Sequence, residues 1–163
     1  MASLLDSLVK SLLDSRYIAS FATHNPDGSL HMVAVWFWFD GTDIYIATSS
    51  RSRKARNLQG NQSASLMIDS RDPDASYGVT VAGTGHVLRG ESAQKYNAEI
   101  HRKYLSEAAL EDPKVGPVFA AWDDITVRLE PSSVIAWDMR QADQYVFGGA
   151  FKNNPSYLLP LKR

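Results

Sequence analysis

Ten consecutive residues, Thr48-Ser49-Ser50-Arg51-Ser52-Arg53-Lys54-Ala55-Arg56-Asn57, concentrate hydroxyl and cationic side chains. An apolar segment precedes them and helix-forming composition follows. The start of a helix carries unpaired N–H groups and a partial positive charge. Hydroxyls, arginine and lysine at that point add donors shaped for phosphate oxygens. A solvated helix face and a nucleic-acid patch are the competing readings. The chain carries a formal net charge of −1, so a local excess of cations needs a reason. No second basic cluster supports nucleic-acid binding. The GxxxxGK[ST] pattern and a GxGxxG after a strand are both absent, so neither a P-loop nor a Rossmann cofactor site is suggested.

Little acid–base machinery accompanies this stretch. His24, His31, His86 and His101 are scattered, without metal-ligand spacing. No serine sits in GxSxG. The absence of cysteine removes disulfides, thiolate nucleophiles and cysteine metal sites. Asp123-Asp124 reads as a loop or strand cap rather than a metal site. No catalytic residue is identified. Such a set suits a protein whose cofactor carries the reactivity while the chain supplies position and electrostatics.

A second chemical feature is Leu30–Phe39. At a period of two, Val33, Val35, Phe37 and Phe39 face one way, and Met32, Ala34, Trp36 and Trp38 the other. A barrel strand needs only its inner face apolar. Something must cover the outer one: a helix, a second subunit or a flat ring system.

The elements that position these residues follow from periodicity. Leu4, Leu5, Leu8, Leu12 and Leu13 form an apolar stripe on a helix over 3–14, with Ser3 as cap. Strands are predicted at Tyr17–Thr23, Leu30–Phe39, Ile44–Ser49, Ala64–Asp69, Gly78–Arg89 and Ile125–Leu129, the last extended by Val134–Trp137 after a kink at Pro131. Asn25-Pro26-Asp27-Gly28 and Asp40-Gly41-Thr42-Asp43 are turns, and Arg71-Asp72-Pro73-Asp74 is a loop. Gly83 and Gly85 suggest a bend or bulge. Helices are expected at Arg51–Gly60 and Ser92–Leu105, the second capped by Ser92, and 106–121 stays ambiguous. Six short strands joined mostly by turns imply a mainly β protein, an antiparallel barrel with peripheral helices. Residues 1–140 form the domain and 141–163 an irregular C-terminal arm. The longest apolar run, Met32 to Phe39, is too short for a membrane span, and no basic segment precedes the first leucines. A soluble, cytoplasmic protein is expected.

The ordered set Tyr17–Thr23, Asn25–Ser29, His31–Phe37, Ile44–Thr48 and Ser52–Leu58 resembles the pyridoxamine 5′-phosphate oxidase-like superfamily of split β-barrel flavin and deazaflavin oxidoreductases. The resemblance spans 12–90 and extends weakly to 125–140, where Ile135-Ala136-Trp137-Asp138-Met139-Arg140 looks like the closing strand of deazaflavin-binding members. It implies a six-stranded split barrel and a homodimer with cofactors between subunits, and no nucleic-acid or membrane partner. Val33, Ala34, Val35, Trp36 and Phe37 match positions beside the cofactor ring. Ser49, Ser50, Arg51, Arg53, Lys54 and Asn57 match positions around its phosphate. The implied cofactor is coenzyme F420 or FMN, with Arg53–Leu58 leaning toward F420. The implied chemistry is hydride transfer to a small organic acceptor. Vitamin B6 oxidation is not expected, because the C-terminal arginine and histidine region of true pyridoxamine phosphate oxidases has no match. A non-catalytic flavin or haem carrier or sensor on the same barrel is the alternative.

Overall fold

The computed structural model describes residues 2–70 and 76–159. The first predicted turn forms around Gly28, whose φ of +83° only glycine adopts without strain. Gly28 N–H donates to Asn25 O at 2.9 Å, and Asn25 N–H to Ser29 O at 2.8 Å. This turn pairs β1 (Ala19–His24) with β2 (Leu30–Val35), from Ala19 opposite Val35 to His24 opposite Leu30.

The predicted strand Leu30–Phe39 is broken. β2 stops at Val35, Trp36 and Phe37 cross a corner, and β3 (Trp38–Phe39) pairs instead with β4 (Ile44–Thr48). With β5 (Ser63–Asp69), β6 (Tyr77–Leu88) and β7 (Ile125–Asp138), the order is β2-β1-β5-β6-β7-β4-β3, antiparallel throughout. The two edges of the sheet are therefore successive pieces of one segment. The sheet curls until a two-residue link joins its ends, which makes seven strands of the six expected.

Alternate residues line the inner face, as a period of two requires. Phe21, Phe37, Ile44, Ile46, Leu66, Ile68, Val79, Val81, Val127 and Leu129 are all fully buried there. α1 (Ser7–Asp14) adds Val9, Leu12 and Leu13, and α2 (Arg53–Gly60) adds Leu58. The first helix is shorter than expected. Leu4 and Leu5 lie in a turn before it, and Leu5 is 80% exposed.

α3 (Gly90–Tyr104) lies on the outer side of β3, β4 and β7. Tyr96 stacks on Tyr45, with ring centroids 3.8 Å apart, and Thr126 Oγ1 donates to Ala93 O at 2.8 Å. Arg89, not Ser92, precedes the helix, and no side chain caps it. Two short helices resolve the ambiguous stretch, α4 (Glu107–Glu111) and α5 (Gly116–Trp122). The C-terminal arm departs from the irregular structure expected. It folds as α6 (Met139–Val146), α7 (Ala150–Asn153) and a 3₁₀ turn at Pro155–Tyr157. The Asp143 carboxylate holds α7 by accepting from Phe151 N–H at 3.1 Å and Lys152 N–H at 3.0 Å. The predicted loop Arg71–Asp74 lies outside the described residues. Among those described, no helix is long and apolar enough to cross a membrane.

β7 runs unbroken through Pro131, because the irregularity falls in its pairing with β6. Ala82 faces Ser133 while Gly83 faces Pro131, leaving Ser132 as the extra residue of a bulge. A Cβ on Gly83 would lie 2.0 Å from the Glu130 carbonyl oxygen. Gly83→Ala is therefore expected to destabilise by about 3 kcal/mol in denaturant titration. Gly60→Ala, at the end of α2 with open space around it, should be neutral or stabilise by up to about 0.5 kcal/mol. Similar losses at both sites would contradict the close approach at Gly83.

Lys103 ties α3 to α1. Its ammonium donates to Leu13 O at 3.1 Å and sits 3.8 Å above the Phe37 ring. Burial lowers its pKa to about 8. Between pH 8 and the ordinary lysine range the unfolded chain then binds more protons than the folded one, so this group makes stability rise with pH across that window. Lys103→Met should flatten that part of the stability–pH curve. An unchanged slope would show that Lys103 titrates normally.

Candidate functional site

The end of β4 and the start of α2 hold the cationic stretch. Thr48 Oγ1 donates to Ser52 Oγ at 3.3 Å, and Ser52 Oγ accepts from Ala55 N–H at 3.3 Å, capping α2. This cap fixes where the helix begins and so sets the direction of its first turn. Arg51, Arg53 and Arg56 are exposed, and Lys54 is half-buried. None of the four forms an ion pair among the described residues. Burial pushes the Lys54 ammonium below the usual lysine range, against the pull of the nearby Asp123 charge. A desolvated cation without a direct partner would gain from a nearby anion.

Three of the matched phosphate positions are already engaged. Ser50 N–H donates to Asp124 Oδ1 and Ser50 Oγ to Asp124 Oδ2, both at 2.6 Å. These bonds hold the Asp124 carboxyl below the usual carboxylate range. Asn57 is buried, and its amide nitrogen donates to Thr23 Oγ1 at 3.0 Å and Asn25 Oδ1 at 3.1 Å. It ties α2 to the β1–β2 turn. Both amide protons are thus directed into the protein, so Asn57 positions the site from within. Ser49 Oγ accepts from Arg51 N–H at 3.2 Å.

Behind this turn stands a polar network that residue spacing did not reveal. His101, which is buried, meets Asp123 Oδ2 through Nε2 at 2.8 Å. Asn97, also buried, donates to Asp123 O at 2.6 Å and accepts from Thr126 Oγ1 at 2.6 Å. The dipeptide Asp123-Asp124 thus serves two masters: one carboxylate turns inward to His101, the other outward to Ser50. Only the β4–β7 pairing, with Thr48 opposite Ile125, brings these segments together. No group of three or more metal-ligating side chains occurs among the described residues.

The ring-side positions divide. Trp36 is sandwiched between Tyr104, stacked at 5.0 Å and 3°, and Phe119, at 5.4 Å and 22°. Trp38 leans on Tyr45 and Tyr96. Helices of the same chain therefore cover the outer faces of both tryptophans. Val35 and Phe37 are buried in the core. Ala34 is exposed and Val33 half-buried, and both lie on β2, an edge strand. Of the five positions Ala34 alone is exposed, because Val33 packs against the core from the same face as Val35.

A cavity of about 800 Å³ lies at the far end of β7, between Ser76, Asp138 and the C-terminal helices. Phe147 and Phe151 line it. Arg140, whose guanidinium bonds Asp138 at 2.8 and 2.7 Å, also lines it and lies over Tyr77. It is separated from Asp124 by the length of that strand.

Solved structures share this architecture. A conserved hypothetical protein from Mycobacterium tuberculosis superposes with a TM-score of 0.70 at 21% identity, covering 87% of this chain and 88% of its own. An F420 reductase matches with a TM-score of 0.59 at 20% identity, over 77% of this chain and 94% of its own. The haem storage protein of Vibrio cholerae matches at 0.62 and 17% identity, over 80% and 93%. At these identities the likeness establishes the split-barrel fold alone. No curated protein matches the sequence. Residues 5–137 match the family model described as pyridoxamine 5′-phosphate oxidase. On that match across most of its length, and on a curled antiparallel sheet shared with these structures, the chain belongs to the pyridoxamine 5′-phosphate oxidase family.

Proposed function

We propose that the protein is a flavin- or deazaflavin-dependent oxidoreductase that binds FMN or coenzyme F420 by its phosphate at the β4–α2 turn. The observation that carries this reading is the half-buried Lys54 ammonium, flanked by Arg51 and Arg53, with no ion pair among the described residues. The family and the F420 reductase neighbour support the coenzyme class. When bound, the coenzyme supplies hydride transfer to a small organic acceptor.

The chain's own residues bind and orient. Lys54, Arg51 and Arg53 neutralise the phosphate, and the Ser49 hydroxyl adds a polar contact. Ser52 and Asn57 hold the turn in place from inside. β2 presents a free edge, whose backbone N–H and C=O groups have no strand partner on that side among the described residues and suit the polar rim of a ring. No side chain in the site is assigned as proton donor.

The same strand supports a homodimer. Ala34, Ser20, Met67, Thr80 and Ile135 form a row across the outer face of β2, β1, β5, β6 and β7. Met32, 62% exposed, and Ile135, 61% exposed, stand on this face. Packing it against a second copy would bury apolar surface beside Ala34. Exposed Tyr145, Val146 and Phe147 on the C-terminal arm extend the apolar surface offered to that copy.

The test is binding of FMN, F420 and haem, followed by absorbance and fluorescence. FMN or F420 is expected to bind with Kd well below about 1 mM, and Lys54→Ala to weaken it by about 1.5–3 kcal/mol without a change in Tm. Asn57→Ala should instead lower stability by about 1–3 kcal/mol, because Thr23 and Asn25 lose their buried partner. Haem binding without either coenzyme would favour the carrier reading. Separately, sedimentation should give a two-chain mass for the wild type and a one-chain mass for Met32→Asp. A one-chain wild type would remove the dimer from this account.

A further inference from the structure

A carboxylate inside an anion site must either exchange with the anion or repel it. Asp124 is such a group. Its two oxygens take both donors of Ser50, the N–H and the hydroxyl, at 2.6 Å each. This is the two-point grip that a phosphate's oxygens would otherwise receive from the same residue. The arrangement is built rather than incidental. Thr48 opposes Ile125, so the end of β4 and the start of β7 are locked side by side, and Asp124 directly precedes Ile125. Its neighbour Asp123 is held inward by buried His101, which leaves Asp124 the carboxylate that faces the turn. Asp124 itself is exposed, so it can swing into solvent without opening the core. The cations that follow Ser50, Arg51, Arg53 and Lys54, have no ion pairs among the described residues. The negative charge at this turn is thus directed onto neutral donors.

We propose that Asp124 is an internal stand-in for the coenzyme's phosphate: it occupies the donors of Ser50 until a phosphate displaces it, and so sets how tightly phosphate-bearing ligands are held. This rests on the β4–α2 turn being the phosphate site. The carboxylate keeps the turn ordered and its donors satisfied while the site is empty. It also discriminates, because a ligand lacking a phosphate cannot displace it and gains nothing at Ser50.

The experiment compares FMN with riboflavin, and F420 with its phosphate-free deazaflavin alcohol, on the wild type and on Asp124→Asn and Asp124→Ser. Both variants remove the charge, and the first keeps the shape. Each is expected to bind the phosphate-bearing ligand about tenfold tighter and the phosphate-free ligand unchanged. Unchanged or weaker binding of the phosphate-bearing ligand by a folded variant would overturn the proposal. So would an equal gain for both members of a ligand pair. The wild-type protein gives an independent readout. The NMR resonances of the Ser50 amide and the Asp124 carboxyl carbon should shift on saturation with the phosphate-bearing ligand and stay in place with its phosphate-free partner. Resonances that stay in place under saturation would overturn the exchange even if a variant failed to fold. Failure of the phosphate-site reading looks different: the wild type would then bind the two members of each pair equally well.

Discussion

The corner at Trp36 and Phe37 is the constraint on which the rest of this structure depends. One segment leaves β2 at one sheet edge and enters β3 at the other within two residues. A sheet whose edges are joined so tightly must curl, and its inner face then closes around Phe21, Phe37, Leu66 and Val127. The closure also decides what stands outside. Phe37 turns inward to the core, while Trp36 turns outward and is roofed by Tyr104 and Phe119. The helices α3 and α5 are thereby pinned over the corner. The Asp123-Asp124 dipeptide directly follows α5, and this brings it to the mouth of the cationic turn.

Electrostatics at that turn follow from geometry rather than from net charge. Four cations lie within six residues, yet among the described residues none is paired directly with a carboxylate. Asp123 is retained by His101, Asp124 by Ser50, and Asp27, which also feels Arg53, by Ser29. Lys54 feels Asp123 only at a distance and is partly stripped of water. Local charge balance is thereby approached without consuming the cations' own hydrogen bonds. A binding turn can tolerate this arrangement. A merely structural helix start would lose little by forming the ion pairs directly.

Hydrogen bonds within the fold also redistribute roles among residues of similar type. Ser49, Ser50 and Ser52 look alike in the sequence. In the structure, Ser52 caps the helix, Ser50 holds a carboxylate and Ser49 braces the backbone N–H of Arg51. Asn57 looks like a polar contact on an exposed helix, yet it is buried and knits α2 to the β1–β2 turn.

Local patterning determined a good deal. The alternation in Ala19–His24, the apolar run Ile44–Ala47, the glycine of the first turn and the start of α2 at a hydroxyl-rich stretch are short-range features, each legible from a few neighbouring residues. The curled β architecture and the position of the cationic turn followed from them. Partners distant in the chain were not legible. Which residues cover Trp36, where Asp124 reaches and how β2 breaks into β3 depend on which strands pair. The β4–β7 pairing, some 80 residues apart, leaves no periodic trace in either strand. The C-terminal arm shows the same limit. Its glycines and prolines read as irregular, but the Asp143 carboxylate caps α7 across a glycine pair. Sequence by itself established the strands, the turns and a cation-rich helix start. Tertiary structure alone decided which of those cations remain free, because that depends on where each carboxylate is anchored by residues far away in the chain.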